Sequence, residues 1–150
     1  MKRFSFNLQK VLELRRFREE EAKIELGRAI GVLEKLQGRI RENIASIAHA
    51  GRERFSGIGR ADGTASMFVW DGYIMRLEQE NERLVAEAES AELVVEEKRN
   101  LYLEASRRLK VVEKLREKRE GEYRKEMFAL QTRELDDLWR PKEAGANATL

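Results

Sequence analysis

Cysteine is absent from this chain, which removes disulfides, thiolate metal sites and cysteine nucleophiles. Proline occurs once, at Pro141, so the long stretch before it holds no residue that forbids a helix. Aromatic residues make up 7% of the 150 residues, and the single histidine, His49, has no nucleophile pattern near it. No apolar run approaches the ~20 residues of a transmembrane helix. The opening Met1-Lys2-Arg3-Phe4-Ser5-Phe6-Asn7 is basic but lacks the apolar core of a secretory signal. No Gly-rich phosphate loop with a following Lys-Ser/Thr occurs, and Gly57-Ile58-Gly59 is a loop fragment. The glutamates lie on helix faces, not as an acid and base paired in a pocket. No enzyme, cofactor, metal or small-molecule substrate is expected.

Charge is abundant: 39% of residues are Asp, Glu, Lys or Arg, with a formal net charge of +2. With helical periodicity, such a composition marks long helices and coiled coils. The first helix is expected over about 7–54, with Asn7 as its cap and Phe6 and Val11 as a staple. Its seam repeats alternately four and three residues apart: Leu8, Leu12, Arg15, Glu19, Ala22, Leu26, Ala29, Leu33, Leu36, Ile40, Asn43 and Ile47. A glycine-rich stretch from Gly51 breaks the pattern, and a loop is expected over about 55–65 with Asp62-Gly63 as its turn signal.

The second helix is expected over about 66–139. Its seam is Leu77, Asn81, Leu84, Ala88, Ala91, Val95, Lys98, Tyr102, Ala105, Leu109 and Val112. Arg140-Pro141 should end it, leaving 142–150 as a disordered tail. The expected fold is therefore all-α: two long helices forming an antiparallel coiled-coil hairpin over 1–141. If facing residues have numbers summing to 124, large side chains meet small ones layer by layer. Asn43 then faces Asn81, a polar pair that would fix register. The second helix is the longer. From about Lys118 it is expected to lack a partner in the chain, although Tyr123, Met127, Phe128, Leu130, Leu135, Leu138 and Trp139 keep it apolar.

Charge divides along the hairpin. Glu78, Glu80, Glu82, Glu87, Glu89, Glu92, Glu96 and Glu97 should meet Arg28, Lys35, Arg39 and Arg41 of the first helix. At the other end both strands are basic: Lys2, Arg3, Lys10, Arg15, Arg16 and Arg18 against Arg107, Arg108, Lys110, Lys114, Arg116, Lys118 and Arg119. Such a stem points to an acidic partner or is a solvated charged face. No nucleic-acid-binding fold accompanies it, so no nucleic acid is expected. Near the loop, Phe68, Trp70, Tyr73 and Ile74 are either the capping layer of the coil or a binding anchor.

The stretch Phe6-x-Leu8-x-x-Val11-Leu12-x-Leu14-Arg15, with Glu19, Glu20 and Ala22 after it, resembles the start of the flagellar export protein FliJ family. Trp70-Asp71-Gly72-Tyr73-Ile74-x-x-Leu77-Glu78 is similar to that family's second-helix start, and Glu134-Leu135-Asp136-Asp137 to its acidic C-terminal motif. The resemblance spans about residues 4–140. It implies a cytoplasmic component of the flagellar type III export apparatus, peripherally associated with the inner membrane at the flagellar base. It also implies a coiled coil similar to the central stalk subunit of rotary ATP synthases. Such a stalk binds the export ATPase ring through its terminal end and promotes ring assembly. Its loop end contacts the export gate protein of the FlhA family, and it escorts export chaperones.

Under this resemblance Arg15, Arg16, Arg107, Arg108, Lys114, Arg116, Leu135 and Leu138 are candidate ATPase contacts. Trp70, Tyr73, Leu77 and Leu84 are candidate gate contacts; Leu84 differs in type from the family's residue, and Glu80 stands where the family has a small one. The alternatives are a generic coiled-coil scaffold or chaperone, an injectisome stalk protein, and a nucleic-acid-binding coiled coil.

Overall fold

The computed structural model describes residues 2–60 and 63–140. Two helices account for nearly all of them: α1, Gln9–Ser56, and α2, Gly63–Trp139. They pack against each other as a helical hairpin. Every seam position named above is buried or half-buried on both helices. The heptad spacing therefore selects the packed face: residues alternately four and three apart stay on one side of a helix. The buried layer is thin and rich in small residues. It includes Ala29, Ala50, Leu84, Ala88, Ala91 and Val95, with Phe6, Leu12, Leu109 and Val112.

The contacts divide the chain into two compact units. A loop-side unit comprises Phe17–Ser106, and a terminal unit joins the described parts of Met1–Arg16 and Arg107–Leu150. In the loop-side unit, Arg39 meets Glu80 at 2.7 Å and Arg54 meets Asp71 at 2.5 Å. In the terminal unit, Arg16 meets Glu113 at 3.9 Å and Arg119 meets Asn7 at 2.5 Å.

The turn begins later than the glycine pattern implies. Gly51 lies inside α1, where a Cβ would meet no neighbouring group. A helical glycine costs only about 1 kcal/mol relative to alanine, and Ala50 beside it is fully buried in the seam. After Ser56 the Gly57 N–H donates to Glu53 O (3.1 Å) and the Ile58 N–H to Phe55 O (3.2 Å), closing the helix end. Gly59 then takes φ of 92°, a left-handed conformation in which a side chain is strained. A Cβ on Gly63 would lie 2.5 Å from the Gly57 carbonyl oxygen, so α2 starts where only glycine fits. Asp62, Pro141 and the tail 142–150 lie outside the described residues.

The N-terminus corrects two expectations. Helix α1 starts at Gln9, and the Asn7 side chain does not cap it; its Oδ1 accepts a hydrogen bond from Arg119. Val11 is exposed while Phe6 packs with Leu12, Leu109 and Val112, flanked by Phe4, Leu8 and Leu115. Residues 2–6 are non-helical and lie against α2. The partnered part of α2 therefore extends past Lys118. The Phe4 and Tyr123 rings are 5.6 Å apart, and the Tyr123 hydroxyl donates to the Lys2 carbonyl. From Phe128 to Arg140 every residue is exposed.

Candidate functional site

Two surfaces concentrate features that a protein partner would use. The first lies in the terminal unit. Residues 1–16 and 107–150 carry seventeen Lys and Arg against ten Asp and Glu, whereas 17–106 carry thirteen against eighteen. Arg16, Arg107, Arg108 and Lys114 are exposed, and Arg15 and Arg116 are half-buried. The Phe6–Leu12–Leu109–Val112 cluster holds these like-charged flanks together, because apolar burial there outweighs a repulsion that exposed charges screen. Arg119 is taken up internally, bonded to Asn7 and placed 5.8 Å over the Phe6 ring. The Arg116 Nε is buried without a partner.

Beyond this cluster the bare end of α2 exposes Phe128, Leu130, Leu135, Leu138 and Trp139, the last at 84%. Phe128, Leu135, Leu138 and Trp139 recur at helical spacing, so a partner could cover them from one side.

The second surface lies in the loop-side unit. Trp70 and Tyr73 pack edge to face, 6.0 Å apart, and Arg76 sits 5.9 Å over the Tyr73 ring. Both rings are half-buried, as is Leu77. Leu84 is fully buried, so no partner reaches it while the helices stay paired; its role is packing. The exposed apolar residues at this end are instead Phe55, Ile58, Phe68, Val69 and Met75. All but Phe68 escaped the sequence reading. The signal was available: apolar residues off the seam, flanking a glycine-rich turn, have no intramolecular partner to bury them.

The charge-matching expected between the helices is met only in part in the loop-side unit. Of the four cations expected to pair, Arg39 alone among the described residues reaches across, to Glu80; Arg54, outside that set, reaches across to Asp71. Arg28 pairs with Glu25 on its own helix, and Arg83 with Glu87 on its own. Asn43 Nδ2 and Asn81 Oδ1 are each buried with no hydrogen-bond partner.

Among the described residues no group of acidic or histidine side chains is placed to hold a metal, and no helix is long and apolar enough to cross a membrane.

The family model of the flagellar FliJ protein matches residues 4–140. The chain belongs to the FliJ family. It is accordingly a component of the flagellar protein export apparatus. The match runs from Phe4, which packs on Tyr123, to the end of α2, so both surfaces lie inside the FliJ-family region. No curated protein and no solved structure matches the chain significantly.

Proposed function

We propose that this FliJ-family chain is the stalk of the export apparatus. It is an antiparallel coiled coil similar to the central stalk subunit of rotary ATP synthases, cytoplasmic and peripheral to the inner membrane at the flagellar base. Its terminal end binds the export ATPase ring and promotes its assembly. Its loop end contacts the export gate of the FlhA family, and the hairpin escorts export chaperones.

The observation that carries this reading is the bare end of α2 beside a basic stem. An exposed apolar stripe from Phe128 to Trp139 lies within a unit rich in cations. An amphipathic end of this kind suits a socket with apolar walls and acidic loops, as a ring lumen offers. Arg16, Arg107, Arg108 and Lys114 steer the approach, Leu135 and Leu138 supply buried area, and Arg15 and Arg116 support the stem. At the loop end, the half-buried Trp70, Tyr73 and Leu77 share one stretch of α2 with the exposed Phe68, Val69 and Met75. Exposed apolar groups on a rigid support are how interface anchors are built.

The purified export ATPase, sedimented with and without this chain, tests the reading. Assembly into rings should increase with the wild-type chain. It should fall to the unassisted level with Arg107→Glu, Arg108→Glu and Lys114→Glu combined, and persist with Phe68→Ser. Assembly that ignores the charge reversal would rule out the stem as the contact.

A further inference from the structure

One edge of the loop-side unit is built differently from the other. On α1 the residues one after alternate seam positions are Ile30, Gln37 and Ile44; on α2 they are Glu78, Val85 and Glu92. These are flanking positions, where paired helices ordinarily place opposite charges. The equivalent residues of the terminal unit, Arg16 and Glu113, do pair, at 3.9 Å. In the loop-side unit α1 offers isoleucine and glutamine instead. The carboxylates of Glu78, Glu82, Glu89 and Glu92 are exposed and have no ion-pair or hydrogen-bond partner among the described residues.

The same edge is apolar and open. Ile44 is 56% exposed and Val85 44%. A groove of about 480 Å³ lies there, lined by Ile47, Glu78, Asn81, Glu82 and Val85. The unpartnered Oδ1 of Asn81 belongs to a residue of its wall.

We propose that this edge is a docking groove for a third helix, a basic amphipathic helix of a protein partner. The apolar stripe of that helix covers Ile44, Ile47 and Val85. Its Lys and Arg residues, flanking the stripe, meet Glu78, Glu82, Glu89 and Glu92. The alternate four-and-three spacing of Glu78, Glu82, Val85, Glu89 and Glu92 lets one straight stripe of a partner follow them over about two heptads. The opposite charge preference is disfavoured, because an acidic helix would meet a row of uncompensated carboxylates. The groove is lined by residues other than the contacts assigned to either end above.

The probe is a fluorescent synthetic helix of four heptads with Leu in its stripe and Lys flanking it, compared with the same peptide bearing Glu for Lys. Anisotropy with the full chain should show binding of the Lys peptide alone. Combined Glu78→Gln, Glu82→Gln, Glu89→Gln and Glu92→Gln should weaken binding by at least about tenfold. Combined Glu21→Gln, Glu42→Gln, Glu87→Gln and Glu97→Gln changes the charge equally on other faces and should leave affinity within about twofold. Ile44→Ser, at an exposed site, should weaken binding without lowering helicity. Equal loss in both quadruple variants, equal binding of the Glu peptide, or no binding of the Lys peptide overturns the proposal. So does sedimentation showing that the chain self-associates through this edge, since a second copy would then be its occupant.

Discussion

The Tyr123 hydroxyl donates a hydrogen bond to the carbonyl of Lys2, and the Phe4 ring lies 5.6 Å from the Tyr123 ring. The first residues of the chain, non-helical themselves, are thereby tied to α2 well beyond the point where α1 begins. Tyr123→Phe should keep the ring contact and lose the bond, at a cost of about 0.5–1.5 kcal/mol. Hydrogen exchange should show faster opening of residues 2–8 with α2 unaffected up to Val112. Phe4→Ala should free the segment further.

The turn offers a contrast between glycines. At Gly63 a methyl group would press on the Gly57 carbonyl, and at Gly59 it would sit on a left-handed backbone. Alanine at either position should destabilise, by about 1 kcal/mol or more. Gly121→Ala and Gly27→Ala place a methyl group in open space inside a helix and should each stabilise by about 0.5–1 kcal/mol. Thermal unfolding distinguishes the two groups by the sign of the shift.

Leu12 and Leu84 are the largest fully buried side chains, one in each unit. Leu→Ala at either should cost about 2–5 kcal/mol, the transfer and cavity terms combined. Urea unfolding followed separately in the two units, by exchange, should show the larger loss in the unit that was cut.

Asn43 leaves a buried donor and Asn81 a buried acceptor unpartnered. These are complementary groups on the two seams of the loop-side unit; no bond joins them in this structure, and we propose that a rotation of one amide joins them and holds register. The double variant Asn43→Leu and Asn81→Leu should raise the unfolding temperature, while single variants, which leave one polar group buried alone, should lower it. Loss of a single sedimenting species in the double variant would accompany relaxed register. A double variant no more stable than the singles would contradict the pairing.

The packed face was legible because a seam follows from spacing alone: Leu12, Leu84 and Leu109 stand in a four-and-three rhythm that needs no knowledge of the partner. What lay beyond the sequence depended on competition between local and distant partners. Asn7 looks like a cap, yet a cationic side chain from α2 claims its oxygen. Gly51 looks like a breaker, yet burial of Ala50 carries the helix through it. Leu84 looked available to a partner because heptad position does not say how deep a residue sits. Of the expected cross-helix charge pairs Arg39–Glu80 forms, whereas Arg28 finds Glu25 three residues away before any carboxylate of α2. At the loop end Phe55 and Ile58 were overlooked because they sit among glycines that read as punctuation.

The most direct measurement is photo-crosslinking from two positions in cells assembling flagella. A photoreactive residue replaces either Leu138, 80% exposed on the bare end of α2, or Phe68, 73% exposed beside the turn. The stalk reading predicts that Leu138 captures the export ATPase and Phe68 captures the export gate. Capture of the ATPase from Phe68, or no ATPase adduct from Leu138, would contradict it.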